Sequence, residues 1–230
     1  MDRAVILAAL AGVTAIAWLY LVSMPPMAMG AAALFVMWWV MMSAMMLPSA
    51  LPMTLTVATV NRRRRELGTP YVPTAVFVAG YLLAWGAFSL AATAVQWALE
   101  HAALMSPTGR LSSPLAGGLV FVAAGLYQLT PLKRACLRRC RSPLAFVLEH
   151  WRDGTAGALR MGAGHGAYCL GCCALLMALL FIGGVMNLLC AAAIAAWVML
   201  EKVLPRGEAL ARLAGVLAIA FGTWLIMGAL

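Results

Sequence analysis

Charge is what this sequence has least of. Acidic residues number 7 and basic residues 16 in a chain of 230, so charged side chains make up 10% and hydrophobic ones 65%. That is too little polar surface to face water on all sides, and the expected solvent is lipid. Paired acids, a Ser-His-Asp set and a glycine-rich phosphate loop are also missing, which excludes hydrolysis and nucleotide-driven pumping as activities of this chain. No segment alternates apolar with polar residues, so the strands of a membrane barrel are excluded, and no 20-to-50-residue repeat supports an inverted-repeat transporter. None of the six cysteines falls in a loop expected outside the membrane, which argues against a secreted disulfide framework.

What is there is a succession of apolar runs, near residues 4–22, 30–58, 73–99, 114–131, 164–185, 187–203 and 209–228. Each approaches the roughly 20 residues an α-helix needs to cross a hydrocarbon layer about 30 Å thick. Backbone groups in lipid must bond within their own segment, so the predicted fold is all-α: one polytopic transmembrane helix bundle of six or seven spans over residues 1–230. The first run, after Asp2 and Arg3, is longer than the apolar region of a signal peptide and is read as a retained span.

The net charge of +9 sits in short loops, Arg62 to Arg65, Lys133 to Arg141, and Lys202 with Arg206. The positive-inside rule places all three in the cytoplasm and the N-terminus inside, as in a multi-pass protein of a bacterial inner membrane, and no nucleic-acid partner is expected. Two joints are less regular. Gly183, Gly184 and Asn187 in FIGGVMNLLCA suggest a hairpin, and the mixed stretch 142–160 suggests an interfacial helix.

Nine of the sixteen methionines lie between Met24 and Met53, most densely in MWWVMMSAMMLPSALPM at residues 37–53. Thioether sulfur is a soft, neutral ligand that suits Cu(I) and does not require burial of carboxylates. Met37, Met41 and Met45, and likewise Met42 and Met46, stack at i, i+4. Together they sweep about half the helix circumference, so they cannot all serve one ion. Gap-filling between helices is the competing role. Pro48 and Pro52 each remove a backbone donor and predict a broken helix here, the freed carbonyls being met by Ser43, Ser49 or neighbouring helices.

The second cluster is GAGHGAYCLGCCALLM at residues 162–177. As a helix it places His165, Cys169, Cys172, Cys173 and Met177 on one face over three turns. Imidazole, thiolate and thioether suit Cu(I), zinc or an iron-sulfur centre, and the lack of nearby carboxylates argues against calcium, magnesium or manganese. Cys136 and Cys140, again i, i+4, stand among Lys133, Arg134, Arg138, Arg139 and Arg141, whose charge favours thiolates. Folding back, they would complete a four-ligand site. Cys190 is assigned to packing, Glu201 with Lys202 to an interfacial charge pair, and Glu100 with His101 to an outer loop without a partner.

Three segments in order, MWWVMMSAMMLP, AAGLYQLTPLKRACLRRCRSP and HGAYCLGCCALLMALLFIGGVMNLLCAAAIAAWVMLEK, resemble a bacterial family of integral membrane proteins of unknown function, described as predicted metal-binding. The likeness runs from the second predicted span to the sixth and departs from the family pattern at Ala174 and Cys190. It implies a membrane protein that binds metal. Transferred residue by residue, it points to Met41, Met42, Met45, Met46, Cys136, Cys140, His165, Cys169, Cys172, Cys173, Met186, Asn187 and Glu201.

The expectation is therefore a membrane protein that binds a soft metal ion, Cu(I) before zinc, and moves it or exchanges it with a donor or acceptor protein. Its predicted ligands are Met41, Met42, Met45, Met46, Cys136, Cys140, His165, Cys169, Cys172 and Cys173. The alternatives are a membrane thiol-disulfide oxidoreductase using Cys169 with Cys172, or with Cys136 and Cys140, and a non-catalytic assembly subunit whose sulfur residues only pack.

Overall fold

The computed structural model describes residues 3–24, 30–69, 71, 73–106 and 108–229. Met27 and Met29 of the methionine-rich region lie outside the described residues. The chain is helical throughout: α1 (Arg3–Ser23), α2 (Ala31–Glu66), α3 (Thr74–His101), α4 (Pro114–Gln128), α5 (Pro131–Arg141), α6 (Pro143–His150), α7 (Gly154–Met177), α8 (Leu180–Gly183), α9 (Leu188–Val203) and α10 (Gly207–Met227). Among the described residues the one strand-like feature is an isolated bridge between Met105 and Leu111. The all-α class expected from composition is the class observed.

Five stretches are long and apolar enough to cross a membrane: α1, α2, α3, α7 with α8, and α10. The bent pair α4 and α5 passes the same test as a sixth. With 16 residues, α9 falls short of the roughly 20 that a straight crossing takes.

Several local readings change. The arginine run is the last turns of α2 rather than a loop. Pro48 and Pro52 sit inside that helix without breaking it. Ser43 and Ser49 bond the carbonyls of Trp39 and Met46, at 2.7 and 2.9 Å, not those of Ala44 and Pro48 that the prolines free. The helix carrying His165 starts at Gly154, ten residues before the expected start, with Gly157, Gly162 and Gly166 of GTAGALRMGAGHG closely packed. The hairpin is present: Gly184 turns with φ +99° and the Asn187 side chain caps α9 by accepting from the amides of Leu189 and Cys190.

Two capped breaks set the architecture. Thr130 accepts from the Lys133 amide and Pro131 occupies the first turn of α5, which ends α4 and starts a helix inclined to it by 65°. The consequence is that α5 folds back onto α7 rather than leaving as a loop. Its Lys133, Cys136, Leu137 and Cys140 form an i, i+3, i+4, i+7 stripe, and all four are buried.

The basic segments meet at one end. Arg64 pairs with Asp153 at 2.9 Å, Arg138 with Glu208 at 2.8 Å, Arg139 with Glu149, and Arg141 donates to the carbonyls of Glu201 and Pro205. Arg3 lines a groove with Arg63 and Leu144, which brings the start of α1 to the same end. Arg110 lies at the other end and donates to the carbonyl of Ile182 at 3.1 Å. At that end Glu100 does have a partner: it accepts from Gln96, which accepts from the indole of Trp38.

α3 packs along α7 and α4 along α10. The first pair is in backbone contact, since a Cβ on Gly162 would lie 1.9 Å from the Phe77 carbonyl oxygen and one on Gly80 would lie 2.2 Å from that of Leu159. This approach sets Tyr81 of α3 against the cysteines of α7. Gly162→Ala is expected to lower stability by about 1–3 kcal/mol through overpacking. Gly164, whose added Cβ meets nothing within 4 Å, serves as the control: Gly164→Ala should be neutral or stabilising by up to about 1 kcal/mol. Thermal unfolding of the two variants in detergent checks the pair, and equal effects would refute the backbone contact.

Candidate metal centre

Helix α7 carries the core of the site. The sulfur atoms of Cys169, Cys172 and Cys173 all lie within 4.8 Å of one another, and each residue is at most 1% exposed. The i, i+3, i+4 spacing places them on one face, and the Cys173 thiol also donates to the Cys169 carbonyl at 2.9 Å.

Two other helices complete the surroundings. From α2, the Met46 sulfur lies 3.9 Å from that of Cys173. From α5, Cys140 is buried in the same core as Cys169 and Cys172, beside the three-thiol group. Cys136, one turn earlier, rests on Gly171, where a Cβ would come within 2.6 Å of its sulfur. Glycine at 171 is therefore what allows α5 to lie this close to α7. The two α5 cysteines face the protein interior rather than the basic surface on which they were expected, and Arg138 and Arg139 on the outer face are occupied by Glu208 and Glu149.

The other expected ligands are distributed around this centre. Met41, Met42 and Met45 are buried in the same core. His165 is 3% exposed and lies outside the three-thiol group. Its ring is held by Phe77, Tyr81 and Phe146, with centroids 6.1, 5.5 and 5.5 Å away, and its Nδ1 has no hydrogen-bond partner.

Charged and polar groups next to the sulfurs were not foreseen. The Lys202 ammonium donates to Ser49 Oγ at 2.9 Å and to Cys169 Sγ at 3.0 Å. The Tyr81 hydroxyl donates to the Met46 carbonyl at 3.2 Å and lies the same distance from Cys169 Sγ. Glu201 bonds not Lys202 but Lys133, at 2.7 Å, and also accepts from Gln128 and Trp197. Lys133 reaches the Cys172 carbonyl as well. The expected interfacial pair of Glu201 and Lys202 is thus replaced by two separate buried contacts, because α9 turns these residues inward at 1% and 9% exposure. The signal that would have found Lys133 is its place on the stripe with Cys136 and Cys140. For Lys202 no local pattern exists.

Burying an ammonium is costly unless an anion or strong acceptor compensates it. Among the described residues Lys202 has no carboxylate within bonding distance, only a hydroxyl and a thiol. A buried group of thiols and a thioether beside a cation suits a soft monovalent ion. The donor set fits copper.

The likeness to other proteins agrees. No curated protein and no solved structure matches the chain. A family model described as PpoB2, copper chaperone, matches residues 35–225, a range that holds α2 from its first turns, α5, α7 and α9 and hence every residue of the centre. The metal-binding resemblance read from the sequence is borne out at the level of the family, and the chain belongs to the PpoB2 copper chaperone family.

Proposed function

We propose that this chain holds Cu(I) as cargo within a bacterial cytoplasmic membrane and hands it to a partner protein. The convergence of Cys169, Cys172 and Cys173 within 4.8 Å in a fully buried core carries the reading. Cys140 and Met46 supply a fourth thiol and a thioether from other helices. Cys136 at the rim is the next thiol that a departing ion meets, and Met41, Met42 and Met45 provide weaker neutral donors along α2. His165 stands one turn from Cys169 as a reserve donor. Copper leaves unchanged in oxidation state, so transfer needs only ligand exchange and no electron acceptor.

The collection of Arg62 to Arg65, Arg138 to Arg141 and Arg206 at one end supports an orientation with that end and the N-terminus in the cytoplasm. A thiol-disulfide oxidoreductase is less well supported: mixed-disulfide exchange needs an accessible thiolate, and these three cysteines are at most 1% exposed.

Elemental analysis of detergent-purified protein, loaded anaerobically and then washed with a competing Cu(I) chelator that strips weak thioether sites, should find stoichiometric copper in the wild type and none in Cys169→Ala/Cys172→Ala/Cys173→Ala. Chelator-resistant copper in the triple variant, or zinc held in preference to copper, overturns the assignment.

Lys202 is a positioning residue in this scheme. Lys202→Met should weaken Cu(I) affinity by about 10–100-fold, as loss of an outer partner does at other metal sites. A purely structural role predicts no change in protons released per ion bound. The charge role predicts more of them, because Cys169 then starts protonated, and titration in weakly buffered solution separates the two.

A further inference from the structure

We propose that Met24, Met37, Met41 and Met186 form a second Cu(I) site, a thioether port at the end of the bundle opposite the basic one. The proposal rests on the reading of Cu(I) as cargo and adds the place where the ion enters or leaves. The four residues line one cavity of about 220 Å³ together with Leu21, Val22, Val185 and Leu188.

The donors come from separate parts of the chain. Met24 follows α1, Met37 and Met41 belong to α2, and Met186 lies in the turn between α8 and α9. Helix periodicity therefore does not account for their meeting. Methionine makes up 16 of the 230 residues of the chain and four of the eight that line this cavity. Methionines that merely filled a gap would close it. Here they surround an opening, with Met24 and Met186 partly exposed and Met37 and Met41 buried at its base.

Among the described residues no lining side chain is a carboxylate, imidazole or ammonium. The side chains thus offer hard cations no charged ligand, whereas a soft monovalent ion finds neutral sulfur that needs no proton removed before it binds. The position within the bundle is also specific. Met37 and Met41 continue along α2 to Met45 and Met46, and Met46 touches Cys173. Nine residues of helix separate Met37 from Met46, about 14 Å at 1.5 Å per residue. The port and the thiol cluster thus stand at two depths of one helix, with methionines between them.

The test uses full-length protein in detergent, labelled with ¹³C at the methionine methyl groups, and Ag(I) as a redox-inert probe of Cu(I) sites. The Met24 and Met186 signals are assigned by their loss in Met24→Leu and Met186→Leu, which are close to volume-conserving. In the Cys169→Ala/Cys172→Ala/Cys173→Ala protein, both signals should shift on addition of Ag(I). The double variant Met24→Leu/Met186→Leu in that background should weaken the residual binding by at least about tenfold. The wild type gives the same reading without the cysteine substitutions: one equivalent fills the thiol cluster and the next should move the two methionine signals. Uptake at the cysteines with no movement of Met24 and Met186 at saturating Ag(I) overturns the port and leaves the proposed function intact. Absence of Ag(I) uptake at either place overturns both.

Discussion

The interior of this protein buries two lysines and one glutamate around the helix that carries the thiols: Lys202 touches Cys169 Sγ, and Lys133 reaches the Cys172 carbonyl. Lys133 is fully enclosed and is neutralised by Glu201 at 2.7 Å. Lys202 then has no carboxylate left, and the nearest group able to carry compensating charge is Cys169 at 3.0 Å. That ammonium puts a positive charge directly against the thiol group. A core of uncharged thiols with the same geometry would gain little from enclosure, since cysteine behaves there as a small apolar residue. Removal of either lysine leaves the opposite charge uncompensated, which is severe in a low-dielectric interior.

That charge balance depends on α5, and α5 depends on a short stretch of sequence. Leu129 and Thr130 end α4, Pro131 starts the next helix, and the 65° bend sends Lys133, Cys136 and Cys140 back onto α7. Gly171 leaves room for Cys136, and the Tyr127 hydroxyl ties the same turn of α7 by donating to the Gly171 carbonyl. The contact between Gly80 of α3 and Leu159 of α7 brings in Tyr81 from the other side. α7 therefore supplies three thiols, and α2 and α5 bring Met46 and Cys140 into the same buried core.

The parts of this arrangement that were legible in the sequence are those produced by one helix at a time. Apolar runs announced the long helices, and the spacing of Cys169, Cys172 and Cys173 announced a shared face. The reading failed where a decision belonged to tertiary contacts. The segment from Lys133 to Arg141 looked like a basic loop because its five cations outweighed its four-residue buried stripe in any window average. Lys202 and Glu201, adjacent in sequence at the end of an apolar run, looked like a pair able to reach water, and only the packing of α9 on its neighbours turns both inward. The helix carrying His165 starts earlier than its apolar run, because Gly162 and Gly166 pack directly on α3. The break expected at Pro48 and Pro52 is absent for a related reason: both flanking stretches of α2 are fixed by burial, and the helix continues through the lost donors.

The division between sulfur types has its own logic. A thiolate binds a soft cation tightly but must be deprotonated and, when buried, must be offset by a positive charge. A thioether binds weakly, carries no charge and can be placed anywhere in an apolar bundle. Among the described residues Lys202 is a buried cation without a carboxylate, and the thiols of α7 stand beside it. The methionines of α2 are neutral donors that need no such compensation. On the proposed reading, a soft ion has its tight stop beside Lys202 and weaker ones along α2. Graded binding of this kind lets an ion be captured without being trapped, since each exchange replaces one sulfur at a time.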